Sequence, residues 1–279
     1  MQDWERETFL LHARQEGYRR RKEEAKNIVK QAMAEYPGIW AVAYSGGKDS
    51  TVLLRILLEA GWKGPMVLYY YSEIENPSEN IEMAKRESKE HGLELHILDC
   101  KESSSLEAFR EAGHLFIYPA TKEEKRIVNI VDTAFRKKVD SFAHEMGFAG
   151  MFLGLRRDES NRRAMSLAKT GPIYQTKSRN IATSCPLHNW SGDDIWAYIV
   201  ENKLRYLACY DTPGYDRRRL RNEINLLCGK KSMSLGLMEQ YKRTYPDLYK
   251  KLAMEFPEID TWIGRELNLS HLKRWESSC

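Results

Sequence analysis

Cysteine is scarce in this sequence, and no two cysteines lie close together. The nearest two are 19 positions apart, among Cys100, Cys185, Cys209, Cys228 and Cys279. This spacing excludes CxxC pairs for metal or redox chemistry and argues against a secreted fold framed by disulfides. We therefore expect a protein of the reducing cytoplasm.

Long apolar runs and metal-ligand spacings are also missing. No apolar run approaches 18 residues, which excludes a membrane-spanning helix. We also expect no membrane partner. The first residues, MQDWERETFL, show no basic stretch followed by an apolar one, so we expect no secretory signal. The seven histidines show neither HxxxH nor HExxH spacing, so we expect no zinc. His188 follows a predicted strand, and we favour a packing or capping role for it over a catalytic one.

Charge is nearly balanced but unevenly distributed. Lysine and arginine number 44 and aspartate and glutamate 40, a net charge of +4, and 42% of residues are hydrophobic, as in folded globular proteins. Basic residues concentrate at 19–22, 156–163 and 217–221. The first cluster has two readings, a solvated helix face or a docking surface for an anionic partner such as a nucleic acid.

Short apolar runs alternate with helical patterns through the middle of the chain. The predicted strands are 39–44, 66–71, 93–98, 148–153 and 181–185. The predicted helices between and after them are 49–60, 77–91, 125–146 and 195–202, the last preceded by a capping box at Ser191. This alternation predicts an α/β fold, a five-stranded parallel sheet sandwiched by helices.

The flanking segments carry helical patterns without strands. Residues 3–34 predict one long helix, and residues 100–122 predict mixed loop and helix. The stretch 216–279 predicts a helical extension. The predicted organisation is an N-terminal helical segment (1–36), an α/β domain (37–215) and a C-terminal helical extension (216–279).

A polar loop, SGGKDS, joins the first predicted strand to the following helix at positions 45–50. Gly46 and Gly47 let the backbone approach a ligand closely, and the helix N-terminus offers N–H groups to an anion. Ser45, Ser50 and Thr51 add hydroxyl groups and Lys48 adds a positive charge. Asp49 would hold Mg²⁺ or orient a donor, because a lone carboxylate repels phosphate. The spacings of the Walker A loop and of GxGxxG are absent.

A second polar loop, GLRRDES at 154–160, follows the fourth predicted strand. Arg163 lies three residues after this loop. The carboxyl ends of parallel strands meet at one edge of the sheet, so this loop and SGGKDS should share a crevice. The planar guanidinium group suits phosphate or sulfate. We therefore predict an anion site built from both loops.

These motifs resemble those of a known family. SGGKDS is similar to the pyrophosphate loop of the adenine-nucleotide α-hydrolase (N-type ATP pyrophosphatase) superfamily. GLRRDES with Arg163 resembles the GLRR-x-x-S-x-x-R segment of phosphoadenylyl-sulfate (PAPS) reductases, and the GARRDE segment of the sulfate adenylyltransferase small subunit. Cys185–Trp190 (CPLHNW) and Asp194–Ile199 (DIWAYI) extend the resemblance, which covers roughly residues 38–216.

The resemblance implies a Rossmann-like fold and an adenine nucleotide, ATP or PAPS, with Mg²⁺. It implies that the nucleotide is bound by Ser45, Gly46, Gly47, Lys48, Ser50, Thr51, Gly154, Arg156, Arg157 and Arg163. The implied catalytic groups are Lys48, Asp49 and Arg157, with Asp49 as metal ligand. The end of the second strand would contact adenine through its backbone, although this chain has Tyr71-Ser72-Glu73 where family members often have DTG.

The chain departs from the reductases at the thiol. Their C-terminal ECG-x-H motif is missing, which leaves Cys279 and Cys228 as the only candidates, and the two Cys-Cys pairs that hold an iron–sulfur cluster are absent. We therefore expect no such cluster and favour ATP cleavage with adenylyl transfer to sulfate, a small acid or a nucleic acid. A thiol-dependent PAPS reductase and a non-catalytic nucleotide-binding adaptor remain as alternatives. A protein partner or a homo-oligomer also remains open.

Overall fold

Helices flank a central sheet in the computed structural model, which describes residues 1–115, 121–175, 181–212 and 237–260. The helices are α1 (Asp3–Ala13), α2 (Glu16–Glu35), α3 (Lys48–Glu59), α4 (Ser78–His91), α5 (Ser105–Ala112), α6 (Lys122–Glu145), α7 (Asn161–Thr170), α8 (Gly192–Glu201), α9 (Leu237–Thr244) and α10 (Pro246–Glu255). The strands are β1 (Ile39–Ala43), β2 (Met66–Tyr70), β3 (Leu95–Asp99), β4 (Phe148–Phe152), β5 (Ile173–Gln175) and β6 (Ala182–Ser184). Within these described ranges, no helix is both long and apolar enough to cross a membrane.

The five predicted parallel strands are confirmed, in the order β3–β2–β1–β4–β6. A sixth strand, β5, which the sequence pattern does not predict, pairs antiparallel with β6. Three residues are too few to show a periodic pattern in the sequence. The strand β5 forms by pairing with β6, which is a tertiary contact. Since β1 lies between β2 and β4, the loops after β1 and β4 leave the sheet side by side.

The core beneath this edge is aromatic and aliphatic. The rings of Trp40 and Phe152, on adjacent strands, have centroids 4.5 Å apart, and Trp62 meets Phe152 edge to face. Trp190 and Trp196 are both buried, as expected for core residues rather than a base-stacking platform. This packing holds β1 and β4 rigidly below the two loops that follow them.

The prediction of a single helix over residues 3–34 is wrong. The chain turns at Arg14 and Gln15, where Gln15 takes an extended conformation that starts α2. The two helices bury different apolar sets: Phe9 of α1 stacks on Trp196 of α8, whereas α2 buries Ala25 and Val29. One straight helix could not place both sets against the core, and periodicity alone does not record that change of direction.

Asp194 fastens both N-terminal helices to α8. The predicted capping box is present, since Ser191 and Asp194 exchange hydrogen bonds. The same buried carboxylate also lies 2.8 Å from Nε2 of His12 and 2.7 Å from Nη2 of Arg21. Burial alone would raise the pKa of Asp194, but the hydrogen bonds from Arg21, His12 and Ser191 outweigh it and lower the pKa.

The basic cluster at 19–22 is therefore divided between two roles. Arg21 binds Asp194, and the Nζ atom of Lys22 lies 5.3 Å from the ring centroid of Tyr198, so these two side chains hold α2 in place. Arg19 and Arg20 are exposed. Neither of the two sequence interpretations, a solvated face or a docking surface, describes the whole cluster.

The C-terminal helices pack against the segment that follows β2. The hydroxyl group of Tyr241 donates to the carbonyl of Ile74 at 2.7 Å, and the rings of Phe256 and Phe109 meet edge to face. The described residues of the predicted 216–279 extension thus contact the α/β portion, while the three-part domain division stays a prediction. Residues 217–221, Cys228 and Cys279 lie outside the described residues.

The buried carboxylate of Asp194 gives a test of this architecture. Asp194→Asn leaves Arg21 and His12 without a charged partner, so we expect the free energy of unfolding at pH 7 to fall by about 2–3 kcal/mol. Because the folded-state pKa of Asp194 is lowered, its contribution is present above about pH 4 and is lost as the pH falls further. The difference between wild type and variant in urea denaturation should therefore shrink below pH 4.

Glu123→Gln serves as the control, because Glu123 forms an exposed ion pair with Arg126 on α6. Such surface pairs contribute little, so we expect no measurable loss. Equal behaviour of the two variants would contradict the anchoring role of Asp194.

Candidate functional site

The loop after β1 is shaped by glycine and by its own serines. Gly46 has φ +79°, and a Cβ there would lie 3.1 Å from the carbonyl oxygen of Asn80 in α4. The hydroxyl of Ser50 donates to the carbonyl of Gly47 at 2.9 Å, and lies 3.3 Å from both the nitrogen and the hydroxyl of Ser45. Glycine is thus required at 46 both by conformation and by space.

The N-terminus of α3 opens directly from this loop. Gly47 is its N-cap and offers no side chain, so the first-turn N–H groups depend on outside partners. The N–H of Lys48 donates to the hydroxyl of Tyr210 at 3.1 Å. Sequence reasoning missed Tyr210, although it stands in the segment that resembles the family. Such a helix start favours an anion.

Asp49 joins the two predicted loops. One carboxylate oxygen lies 2.8 Å from Nζ of Lys48, and the other accepts from Nε of Arg156 at 2.6 Å. Burial would raise the pKa of Asp49, but the two neighbouring cations outweigh it and lower the pKa. Lys48 and Arg156 are themselves buried, so two cations and one carboxylate share a largely dry space. These three groups sum to one positive charge, which the carboxylate of Asp158, 3.3 Å from Nη1 of Arg156, offsets.

The second loop sends its two arginines in different directions. Besides Asp49, Arg156 approaches Asp158 and the carbonyl of Trp190 through Nη1, at 3.3 and 3.4 Å. Arg157 instead donates from Nη2 to the carbonyl of Leu167 in α7 at 3.4 Å. The described geometry brings Arg156, rather than Arg157, to the first loop, and a catalytic role for Arg157 stays a prediction.

The remaining predicted site residues occupy the flanks. Gly154 packs on the main chain of Asp49. A Cβ added to Gly154 would lie 3.4 Å from the carbonyl carbon and oxygen of Asp49. Thr51 is buried with its hydroxyl 3.2 Å from that of Tyr44. Arg163 pairs with Glu159, and its N–H donates to the hydroxyl of Ser160, the N-cap of α7. Their predicted contacts with a nucleotide stay predictions.

The donor set around Asp49 fits a resident magnesium ion poorly. Both oxygens already form ion pairs with cations, and a divalent ion would have to compete with them. The nearby carboxylate of Asp158 also accepts from the N–H of Gly192 at 2.9 Å. Of the two roles predicted for Asp49, orienting Lys48 and Arg156 fits these contacts better than ligating a metal, and Mg²⁺ stays a prediction.

Elsewhere in the described part of the chain, one group of potential metal ligands clusters, Glu87, Glu90 and His91. Arg55 binds Glu87 at 3.0 Å and Arg205 binds Glu90 at 2.7 Å, so arginines already neutralise these carboxylates. Burial and Arg55 lower the pKa of His91. The cluster is accounted for as an ion-pair network.

The described cysteines are not poised as nucleophiles. Cys100, Cys185 and Cys209 are buried and form no disulfide. Burial raises the pKa of Cys100 to about 11 and those of Cys185 and Cys209 to about 12. Because the thiolate is the reactive form, these three are inert near neutral pH. His188 is also buried, with its pKa lowered by burial and by Arg157, in keeping with a packing role.

Sequence comparison identifies the family. The phosphoadenosine phosphosulfate reductase domain matches residues 39–217. Sulfate adenylyltransferase subunit 2 of Acinetobacter baumannii is 26% identical, over 72% of this chain and 69% of its own. The tRNA-5-methyluridine(54) 2-sulfurtransferase of Thermus thermophilus is 24% identical, over 67% of this chain and 59% of its own. An uncharacterized Methanocaldococcus jannaschii protein is 28% identical over 75% of this chain, which spans only 40% of that relative.

Structural comparison agrees on the fold. The U34-tRNA thiolase NcsA of Methanococcus maripaludis, solved with its [4Fe-4S] cluster, superposes with a TM-score of 0.52 and 15% identity, over 88% of this chain and 78% of its own. At that identity the likeness concerns architecture alone. The expected absence of a cluster in this chain stays a prediction, since two of its five cysteines lie outside the described residues.

The two constraints on Gly46 can be separated by substitution. Gly46→Ala introduces a Cβ at positive φ and against the backbone of Asn80, whereas Gly61→Ala introduces one at positive φ with nothing within 4 Å. We expect Gly61→Ala to cost about 1 kcal/mol of unfolding free energy and Gly46→Ala about 1 kcal/mol more. Urea denaturation measures both, and equal costs would refute the close approach at Gly46.

Proposed function

The chain belongs to the phosphoadenosine phosphosulfate reductase domain family, and from that premise we propose that it cleaves ATP between the α- and β-phosphates and transfers the adenylyl group to an acceptor. The observation that carries the proposal is the cluster at Asp49. It places Lys48 and Arg156 beside the uncapped start of α3, directly after the glycine loop. These are groups that stabilise phosphate charge, and they include no thiol.

The proposed reaction is a displacement at the α-phosphorus. A lone pair on the acceptor forms the new bond to phosphorus while the bond to the bridging oxygen breaks. The electron pair leaves with that oxygen on pyrophosphate, and the products are the adenylylated acceptor and pyrophosphate. Lys48 and the α3 N-terminus would hold the departing phosphates, and Arg156 would offset charge as it develops. Asp49 would keep both cations aimed at the loop.

The acceptor is proposed only as a class, an anionic group. Sulfate, a small carboxylic acid and a nucleic acid all present oxygens that lysine, arginine and a helix N-terminus can bind. The names of the relatives include a sulfate adenylyltransferase subunit and a tRNA sulfurtransferase, which supports either an oxyanion or an RNA. On the described surface, the exposed residues Arg19, Arg20 and Arg162 would be available to a polyanion.

Lys48 is the residue on which this proposal depends most directly. With ATP supplied as its magnesium complex, we expect the protein to release pyrophosphate and Lys48→Ala to lower the rate about 100- to 1000-fold, as when one charge-stabilising donor is removed. Lys89→Ala, on the exposed face of α4, should leave the rate unchanged. If the protein binds ATP but releases no pyrophosphate with sulfate, a small carboxylic acid or a nucleic acid as acceptor, the adaptor alternative is favoured.

The reductase alternative requires a reactive thiol. We expect no sulfite release from PAPS, because each described cysteine is buried and protonated. A parallel assay of PAPS with a thiol reductant measures sulfite directly. Sulfite release that disappears in Cys279→Ser or Cys228→Ser would overturn the adenylyl-transfer proposal in favour of reduction.

A further inference from the structure

The side chain of Tyr210 meets both groups through which Lys48 would bind a phosphate. Its hydroxyl accepts the backbone N–H of Lys48 at 3.1 Å, and its ring centroid lies 5.7 Å from Nζ of the same lysine. A backbone N–H at a helix start and an ammonium group both bind anions, whereas a hydroxyl oxygen and an aromatic face are neutral partners for them. One neutral side chain therefore engages the two groups that an anion on Lys48 would engage.

Lys48 is closed to solvent, so a group that covers it must move before a phosphate can reach it. Lys48 is 3% exposed, and Tyr210 is 1% exposed. Asp49 also contacts Lys48, but its other oxygen is bound to the guanidinium of Arg156 at 2.6 Å. Charge-assisted hydrogen bonds are roughly twice as strong as neutral ones. Of these two side chains, Tyr210 is therefore the easier to displace.

Tyr210 belongs to a short 3₁₀ turn, Ala208–Asp211, which lies after α8 in the chain. Its ring packs edge to face on Trp196 of α8, with centroids 5.4 Å apart, and its centroid lies 6.5 Å from that of Tyr206. The hydrogen-bond geometry of a 3₁₀ turn is poorer than that of an α-helix. These ring contacts therefore help to hold Tyr210 over Lys48, and a rotation of the turn would change them.

We propose that Tyr210 is a gate on the phosphate site. It covers Lys48 before a nucleotide binds, and the phosphates displace its hydroxyl from the N–H of Lys48 and its ring from Nζ as the 3₁₀ turn rotates. Phosphate oxygens can replace Tyr210 because an anion binds an ammonium group and a helix N–H more strongly than a neutral group does. The site would thus open only for a ligand whose binding offsets the lost contacts of Tyr210.

Tyr210→Phe tests the gate, because it removes the hydroxyl and keeps the ring. Calorimetry measures the binding of inorganic tripolyphosphate and of ATP supplied as its magnesium complex. If the hydroxyl must leave Lys48 before phosphate binds, the variant should bind both ligands about threefold to tenfold more tightly, the range that corresponds to one neutral hydrogen bond. A hydroxyl that only supported the fold of the site, or that itself bound phosphate, would give weaker binding when removed.

Tyr206→Phe is the matched control. The hydroxyl of Tyr206 donates to the carboxylate of Asp211 at 3.2 Å rather than binding Lys48, so its removal should leave both affinities unchanged. Unchanged or weaker binding by Tyr210→Phe, or equal tightening by Tyr206→Phe, would overturn the gate alone. The inference rests on the proposed function, because it assumes that Lys48 binds phosphate. If the wild type and Tyr210→Phe both bind neither ligand, the proposed function falls, and this inference with it.

Hydrogen exchange on the wild-type protein gives a second measurement, which does not depend on the folding of a variant. With saturating tripolyphosphate, the backbone amides of residues 46–51 should exchange more slowly because the ligand covers them. The amides of residues 208–212 should exchange faster, because Tyr210 leaves Lys48 and the turn loses that contact. Slower or unchanged exchange at 208–212 would mean that phosphate binds without moving Tyr210, and it would overturn the gate.

Discussion

The carboxylate of Asp49 holds together two loops that are more than 100 residues apart in the chain, with Lys48 on one oxygen and Arg156 on the other. Neither buried cation could remain in that space without a counter-charge, because an unpaired buried charge loses its hydration without compensation. The ion pairs also fix where the two positive groups point. The position of β1 between β2 and β4 makes this meeting possible, since it sets the two loops side by side.

The outer layers reinforce the same edge of the sheet. Asp194 ties the N-terminal helices to α8, and the segment just after α8 carries Tyr210, whose hydroxyl receives the first N–H of α3. On the other flank, α9 and α10 pack against the turn after β2, where Tyr241 binds Ile74. The helices outside the α/β core thus contact the segments that shape the glycine loop, although the motifs themselves lie in the core.

Much of the fold could be predicted because its signals are local. The strand at 39–44 was visible as an apolar run, and the helix at 49–60 as a periodic pattern. The failures have tertiary causes. The break at Gln15 reflects two different packing surfaces for α1 and α2, and β5 depends on the edge of β6. At the site, the residue types were predictable. Which of Arg156 and Arg157 would bind Asp49 was not, because side chains in a loop have no fixed periodicity.

The sequence by itself determined the fold class, the family and the two loops, because glycine, serine and arginine at those spacings impose turns and charges that do not depend on distant partners. Only the tertiary structure decided which charges meet. It engaged both oxygens of Asp49 with cations, placed the hydroxyl of Tyr210 at the start of α3, and set the backbone of Asn80 against Gly46. These outcomes depend on contacts between segments far apart in the chain, and a linear pattern of residue types does not encode the distances between them.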